Sequence, residues 1–302
     1  MLAGVYPIVP TPFDEHGRLD TDSTRTLTEF MVRCGVDGLA VLGVMGEAER
    51  LTEAERDEVV RTVRRALPSD RALVVGAGAQ GTDVAREACR RAADLGADAL
   101  LLGPPRVQQD SVLFEYYAQI SRTVSVPIVV HDYPPATGVL LSPALLARLY
   151  TELDPVRYVK LEDAPTGPKM DRVRSLAGEG FGIFGALGGL YALEELDRGA
   201  VGIMTGFAFP DLLVHLYRLH RDRRHGEAAE LFFAILPLIR FEFQPGIGTA
   251  LRKEILVRRG AIRWATVRHP GASADPVTLR HLDRILESLA ARGYIAPLPA
   301  TA

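Results

Sequence analysis

Residues 38–76 read GLAVLGVMGEAERLTEAERDEVVRTVRRALPSDRALVVG and predict one strand–helix–strand unit. Gly38–Gly43 and Ala72–Gly76 are short runs that are apolar on both faces, as strands of a covered parallel sheet are. Between them, Thr52 stands at the N-cap position before Glu53–Ala66, where apolar residues recur at helical spacing. Two such strands joined by a helix indicate a parallel α/β sheet.

The same unit recurs along most of the chain. The other strand-like runs are Gly4–Val9, Ala97–Leu102, Pro127–Val130, Val156–Leu161, Phe181–Phe184 and Ala200–Met204. Eight strands in roughly 220 residues fit a (β/α)8 TIM barrel, which typically needs about 250 residues. A doubly wound open sheet is the alternative, but Pro10–Phe13 follows the first strand where a Gly-rich dinucleotide turn would stand.

The pattern changes after about Arg221. Glu227–Ile239, Gly248–Arg259 and Pro276–Arg292 have helical spacing, with no strand-like run between them. We therefore predict a barrel over residues 1–224 and a C-terminal helical domain over residues 225–302. We expect this extension to pack on the barrel or to mediate assembly.

The composition excludes several classes of protein. Hydrophobic residues make up 47% and charged residues 24% of the 302 residues, as in a soluble globular enzyme. A net charge of −3 provides no basic field for nucleic acid or anionic membranes, so we expect neither as a partner. No apolar run approaches the ~20 residues of a membrane span, and no signal-peptide pattern opens the chain, so we expect a cytoplasmic protein. Cys34 and Cys89 are expected to be buried free thiols.

Lysine is rare in this chain. Only Lys160, Lys169 and Lys253 interrupt a set of 35 basic residues that are otherwise arginines. Lys160 stands in the sixth predicted strand, where a lone ammonium would be costly to bury. One interpretation is an ion pair with Glu162 or Asp163. We favour a functional lysine, because lysine, unlike arginine, can become a neutral amine that attacks a carbonyl and forms a Schiff base. Lys169 and Lys253 are interpreted as solvated surface residues.

Other strand ends also carry chemistry-bearing groups, and in this fold the site lies at the C-terminal ends of the strands. His131 and Tyr133 close the fifth strand, where a histidine can move protons and a tyrosine can donate to a developing oxyanion. The alternative for His131 is a histidine at the edge of the core. Gly43–Glu47 supplies backbone amides that could hold a carboxylate, or it is simply a tight loop. No His/Cys spacing indicates a metal site.

Several motifs in a fixed order make the chain similar to the dihydrodipicolinate synthase/N-acetylneuraminate lyase family. They are Pro7–Phe13, Gly35–Gly38, Gly43–Glu47, Leu51–Arg56, Pro127–Val130, Pro134, Thr137–Gly138 and Val159–Lys160. The resemblance covers most of the chain and implies a (β/α)8 barrel with C-terminal helices, usually assembled as a homotetramer. It also implies a class I mechanism without a further cofactor, in which a lysine, here Lys160, forms a Schiff base with pyruvate or another 2-oxo acid.

The chain also departs from the pattern of the family's synthases. Val44 and Met45 occupy the turn in which the synthases carry the hydroxyl side chains of a proton relay. His131 stands where the family has its catalytic tyrosine, and Tyr133 follows two residues later on the same face of the extended chain. Ala136 stands where the synthases have an arginine. The resemblance therefore implies a lyase of altered specificity.

We predict a Schiff-base lyase, an aldolase or synthase, that acts on a 2-oxo acid with or without an aldehyde partner. Lys160 attacks the C2 carbonyl, and His131 or Tyr133 moves the proton at the substrate hydroxyl. The backbone amides of Val44 and Met45 hold the substrate carboxylate. The side chain of Glu47 and the carbonyl of Met204 line the site. The catalytic residues of this prediction are Lys160, His131 and Tyr133, and the substrate-binding residues are Val44, Met45, Glu47 and Met204. One alternative is a 2-keto-3-deoxy sugar acid dehydratase or hydratase-aldolase, and another is a catalytically silent paralogue that binds a 2-oxo acid.

Overall fold

The computed structural model describes residues 1–300 and contains eight parallel strands that form a nearly closed barrel. The strands are β1 Gly4–Val5, β2 Gly38–Val41, β3 Ala72–Gly76, β4 Ala99–Leu102, β5 Ile128–Asp132, β6 Val156–Leu161, β7 Gly182–Gly185 and β8 Gly202–Ile203. From β2 to β8 each strand pairs with the next, β1 pairs with β8, and a bridge between Ile8 and Ala40 joins the two ends of the sheet. The (β/α)8 barrel is confirmed, and the open doubly wound sheet is excluded.

The helices fall between and after the strands. They are α1 Thr21–Arg33, α2 Glu53–Ala66, α3 Thr82–Asp94, α4 Asp110–Ser121, α5 Pro134–Thr137, α6 Pro143–Glu152, α7 Thr166–Ala177, α8 Ala192–Asp197, α9 Pro210–Arg221, α10 His225–Glu242, α11 Gly248–Arg258 and α12 Pro276–Ala291. The sequence predicts the bounds of α2 correctly because Thr52 and Glu55 form a reciprocal capping box at its start. No helix within residues 1–300 has both the length and the apolar character needed to cross a bilayer.

Two layers of apolar side chains hold the barrel together. The larger layer fills the space between strands and helices, and the smaller one fills the barrel interior. Interior side chains are Leu2, Tyr6, Ile8, Ala40, Val74, Ala99, Leu101, Val129, Tyr158, Phe184 and Met204. The ring of Phe184 meets that of Tyr6 edge-on at 5.4 Å, and a Cβ at Gly38 would lie 2.3 Å from the Tyr6 ring. This packed interior leaves the C-terminal ends of the strands as the open end of the barrel.

The C-terminal helices share the hydrophobic core of the barrel. Leu231, Ile235 and Leu238 of α10 belong to the same buried cluster as the strand residues, and α10 packs on α9 and α12. The segment between α10 and α11 reaches the open end of the barrel, where Phe243 packs against Gly188. A Cβ at Gly188 would lie 2.3 Å from that ring, and its φ of +71° is one that glycine adopts readily. The packing places residues 243–252 beside the strand ends, while the boundary at residue 224 stays a prediction.

The two cysteines are free, as the sequence predicts. Cys89 is buried and Cys34 is half-buried. Burial raises the pKa of the Cys89 thiol to about 12 and that of the Cys34 thiol to about 11. Both thiols are therefore protonated and unreactive near neutral pH.

Candidate active site

A cavity of about 550 Å³ opens at the C-terminal ends of the strands. Its walls come from the loop after β2, the ends of β5 and β6, the loops after β7 and β8, and residues 243–252. The cavity therefore lies where TIM-barrel enzymes carry their chemistry. Six of the seven predicted site residues line it: Val44, Met45, Glu47, His131, Tyr133 and Lys160.

Lys160 lines the cavity from β6. It is in register with His131 on β5, and only 4% of the residue is exposed. Its Nζ lies 3.1 Å from His131 Nε2 and in direct contact with Glu162 Oε2. The same amine lies 5.9 Å from the centre of the Tyr133 ring. Lys160 is therefore a buried amine with an imidazole and a carboxylate within hydrogen-bond reach.

Glu162 is the carboxylate that the sequence analysis considered only as an ion-pair partner. Its Oε2 lies 2.8 Å from His131 Nε2, while its Oε1 accepts a 2.9 Å hydrogen bond from the Leu187 amide. Burial would raise the pKa of Glu162, but the neighbouring Lys160 and His131 outweigh it and lower the pKa to about 2. Glu162 is thus ionised and held on both oxygens. Alternation along an extended chain puts residues 160 and 162 on the same face, a signal that could have identified it.

His131 is a neutral imidazole near neutral pH. Burial, and then the charge of Lys160, lower its pKa, and Glu162 opposes this only in part. The Tyr133 ring stacks on the imidazole, with centroids 5.8 Å apart and planes 17° from parallel. Burial raises the pKa of Tyr133, so its hydroxyl keeps its proton. The two side chains together offer a base and a hydrogen-bond donor on one side of the amine.

Lys169 is not the solvated surface residue that the sequence suggests. Its Nζ lies 2.7 Å from Asp132 Oδ2 and 2.8 Å from Asp163 Oδ2, and only 9% of its side chain is exposed. Asp132 follows His131 on β5 and is fully buried, and burial raises its pKa to about 6 although Lys169 opposes the shift. A buried carboxylate needs a cation nearby, which explains why a lysine of α7 folds inward.

The loop after β2 forms one wall of the cavity. Val44–Gly46 make a short 3-10 helix, whose first amides have no acceptor within the helix. The Met45 side chain packs on Gly206 so closely that a Cβ there would overlap its sulfur. Glu47 ends the turn in the left-handed region, at φ 52°. Its carboxylate accepts hydrogen bonds from Arg50 Nη1 at 2.7 Å and from the Arg268 amide at 2.9 Å.

Lys253 is also misassigned by the sequence analysis, since it is fully buried. Its Nζ donates to Glu47 Oε1 at 2.6 Å and to the Thr266 carbonyl at 2.7 Å, and it lies 4.4 Å from the centre of the Phe13 ring. Burial lowers the pKa of Lys253 to about 8, although Glu47 opposes the shift. The polar neighbours of Lys253 in sequence do not reveal this, because its counter-ion Glu47 lies 206 positions away in the chain. The ion pair fastens the loop after β2 to the C-terminal segment.

Lys253→Met should lower the free energy of unfolding by about 3 kcal/mol, because removing one member of a buried ion pair leaves its partner uncompensated. The double variant Glu47→Gln/Lys253→Met should be more stable than the sum of the two single losses predicts. Urea unfolding of the four proteins in the cycle measures both effects. A loss below about 0.5 kcal/mol for Lys253→Met, as for an ordinary surface substitution, would show that the pair does not hold this loop.

The site residue predicted at the end of β8, Met204, does not line the cavity. Within residues 1–300, the cavity lining includes Thr205 and Gly206 but not Met204. The Met204 side chain belongs to the barrel interior, and its amide donates to the Gly185 carbonyl. Met204 therefore supports the floor below the cavity.

Arg252 is a cavity residue that the sequence analysis missed. It lies on α11, is 6% exposed, and donates from Nε to Glu242 Oε2 at 3.2 Å. Glu242 Oε2 also accepts a 3.1 Å hydrogen bond from the Ala208 amide. In the sequence Arg252 stands between Leu251 and Lys253 on a helix whose polar residues are not confined to one face, so no pattern marks it.

A group that could hold a metal ion lies elsewhere. Within residues 1–300, the ligand atoms of Asp197, His220 and His225 lie within 4.8 Å of one another, on α8, α9 and α10. These residues are outside the cavity, and His220 Nε2 lies 2.9 Å from Asp197 Oδ1. The prediction that catalysis needs neither a metal nor a cofactor stays a prediction.

The sequence matches a known protein family. A family model described as the dihydrodipicolinate synthetase family matches residues 1–289. The chain belongs to this family. It is 34% identical over 294 residues to an L-2-keto-3-deoxyarabonate dehydratase of Azospirillum brasilense, covering 95% of this chain and 94% of that protein. It is 33% identical over 248 residues to a 4-hydroxy-tetrahydrodipicolinate synthase of Methanothrix thermoacetophila, covering 80% and 82% of the two chains.

Solved structures of the dihydrodipicolinate synthetase family have the same fold. The dihydrodipicolinate synthase of Rhodopseudomonas palustris superposes with a TM-score of 0.91 at 33% identity, covering 95% of this chain and 98% of that one. The resemblance inferred from the motifs is confirmed. The chain is a lyase of this family, of the class I aldolase type.

Proposed function

We propose that this chain forms a Schiff base between Lys160 and a 2-oxo acid and dehydrates a 2-keto-3-deoxy sugar acid. The observation that carries the proposal is the three-way contact among Lys160 Nζ, His131 Nε2 and Glu162 Oε2 inside the cavity. A buried amine next to two proton acceptors can be deprotonated and can attack a carbonyl. The relative from Azospirillum brasilense, a dehydratase that aligns with 95% of this chain, supports dehydration as the reaction.

The first stage of the proposed reaction is formation of the iminium. His131 or Glu162 takes a proton from Lys160, and the neutral amine adds to C2 of the substrate. The group that took this proton returns it to the hydroxyl of the resulting carbinolamine, which leaves as water as the C2–N double bond forms. The iminium draws electrons from C3, which makes a C3 proton acidic.

The second stage removes the C4 hydroxyl. Neutral His131 takes the C3 proton, and the carboxylate of Glu162 stabilises the imidazolium that results. The C3 electron pair forms the enamine and then the C3–C4 double bond, as the C4–O bond breaks. The imidazolium returns its proton to the departing hydroxyl, which leaves as water. Hydrolysis of the unsaturated iminium then frees Lys160 and the product.

The substrate carboxylate is assigned to the loop after β2. The amides of Val44 and Met45 stand in the first turn of a 3-10 helix and have no acceptor within that helix, so they can donate to an anion. Tyr133 lines the cavity beside the amine and can donate to a substrate hydroxyl. Glu47 serves as the buried anchor of the loop through Lys253 rather than as a group for the substrate.

Aldol addition or cleavage is the second candidate reaction. It uses the same iminium but breaks the C3–C4 bond, and the synthase of Methanothrix thermoacetophila, at 33% identity, favours it. By resemblance to the family we further propose a homotetramer, a cytoplasmic location, and catalysis without a metal or cofactor.

A panel of five- and six-carbon 2-keto-3-deoxy sugar acids tests the reaction. We expect a product lighter than its substrate by one water, identified by mass spectrometry, and no pyruvate in a coupled assay with lactate dehydrogenase and NADH. Release of pyruvate and an aldehyde would contradict dehydration and support the second candidate. No reaction across the panel, with a 2-oxo acid still raising the unfolding temperature, would indicate a silent binding protein.

A further inference from the structure

Arg252 has side-chain hydrogen-bond donors that no group in the described part of the chain accepts. Arg252 lines the cavity, and its only side-chain hydrogen bond within residues 1–300 is the one from Nε to Glu242. A guanidinium has five N–H donors, so the four on Nη1 and Nη2 have no protein acceptor. Neither nitrogen is fully enclosed by protein. The terminal nitrogens of Arg252 are therefore open to a molecule in the cavity.

The other charged groups at the cavity wall already have partners. The ammonium of Lys160 contacts Glu162, and Glu47 is shared by Arg50 and Lys253. Among the described residues, Arg252 has a single ion-pair partner, Glu242, which it contacts through Nε. A buried guanidinium with free donors at the wall of a cavity is suited to bidentate binding of a carboxylate.

The counter-ion does not fully neutralise Arg252. Glu242 is completely buried, and burial raises its pKa to about 7, although Arg252 opposes the shift. Near neutral pH, Glu242 therefore carries its charge only part of the time, whereas Arg252 is always charged. Glu242 Oε1 has no hydrogen-bond partner within residues 1–300. An anionic ligand would stabilise the guanidinium from the open side.

We propose that Arg252 binds the distal carboxylate of a dicarboxylic 2-oxo acid, so that the preferred substrate is a 2-keto-3-deoxy sugar diacid. The inference rests on the proposed function, in which Lys160 binds C2 and the β2 loop binds the carboxylate at C1. Arg252 comes from α11, a different part of the chain, and a cavity of about 550 Å³ has room for a substrate longer than pyruvate. The distal carboxylate accepts two hydrogen bonds from Nη1 and Nη2.

The test compares two probes of equal chain length, 2-oxoglutarate and 2-oxopentanoate, which differ in the distal carboxylate. Each is titrated against the whole protein, borohydride reduces the imine, and mass spectrometry measures the fraction of modified protein. We expect the half-saturating concentration to be at least about tenfold lower for 2-oxoglutarate, as a charge-assisted pair gives. In Arg252→Met, the ratio of the two half-saturating concentrations should be close to one. Arg252→Lys should keep part of the preference for 2-oxoglutarate. Arg240→Met, which removes an exposed arginine of α10, should leave the ratio as in the wild type.

Two results would overturn the proposal: a wild-type ratio close to one, or an Arg252→Met variant that raises both half-saturating concentrations by the same factor. The second would mean that Arg252 binds the carboxylate that the probes share. Absence of any adduct with either probe in the wild type would instead contradict the proposed Schiff base. If Arg252→Met does not fold, as judged by circular dichroism, Arg252→Met/Glu242→Gln replaces both members of the buried pair and gives the same ratio.

Discussion

Replacing Lys160 by alanine is expected to lower kcat for a 2-keto-3-deoxy acid by at least about four orders of magnitude, since the covalent nucleophile is lost. Lys160→Arg should lose as much activity, because a guanidinium does not deprotonate to attack a carbonyl. Arginine keeps the positive charge beside Glu162, so this variant should remain folded. Turnover measured by product mass, together with thermal unfolding of both variants, checks the prediction.

The arginine variant separates chemistry from stability. If Lys160→Arg turned over substrate within about tenfold of the wild type, Lys160 would be an ion-pair partner and not a nucleophile. That was the alternative interpretation of the sequence, and the contact with Glu162 shows that the ion pair exists. An ion pair with Glu162 is compatible with Lys160 as the nucleophile, because the Glu162 carboxylate can take the proton that the Lys160 amine must lose.

Glu162→Gln is expected to lower kcat by about a hundred- to a thousandfold, the range of a lost general acid–base group. Glutamine can still accept the hydrogen bond from the Leu187 amide, so the loop after β7 should keep its place. Glu162 raises the pKa of His131, so its removal should lower that pKa further. His131 acts as a base when it is neutral, above its pKa. The acid limb of kcat/KM should therefore move to lower pH in the variant.

Asp163→Asn is the matched control for Glu162→Gln. Asp163 is the next residue, and its carboxylate pairs with Lys169 outside the cavity lining. It should leave kcat within about threefold of the wild type, while Glu162→Gln does not. Equal effects of the two substitutions, or an acid limb that stays in place in Glu162→Gln, would contradict the role given to Glu162.

The fold could be predicted from the sequence because local patterns and chain order agree. Each strand is a short apolar run between turn residues, and the barrel follows from eight repeats of one unit. The strand β6 spans Val156–Leu161, as predicted, because it is an apolar run interrupted only by Arg157 and by Lys160, the latter near the open end. The first strand is shorter than predicted, since only Gly4–Val5 pair as a ladder and a single bridge at Ile8 continues it.

The site could be predicted only in part. Lys160 and His131 stand at strand ends, where the fold itself dictates that side chains face the cavity. Glu162 lies one residue beyond the strand and looks like an ordinary ion-pair partner, so its contact with His131 emerges only when β5 and β6 are placed side by side.

No local sequence pattern predicts the burial of three basic residues, Lys253, Lys169 and Arg252. Each is a basic residue on a helix, a position that usually indicates a solvated face. What draws them inward is a buried carboxylate outside their own helix: Glu47 for Lys253, Asp132 for Lys169 and Glu242 for Arg252. These pairs depend on tertiary packing, where burial of one charge requires burial of its partner.

Borohydride reduction of the protein in the presence of pyruvate, followed by peptide mass spectrometry, shows whether Lys160 forms the Schiff base. The chain has only three lysines, so each can be assigned without ambiguity. We expect the reduced adduct on Lys160 and on neither Lys169 nor Lys253, and none in Lys160→Ala. An unmodified Lys160 in a preparation that turns over a 2-oxo acid, or an adduct on another lysine, would contradict the account.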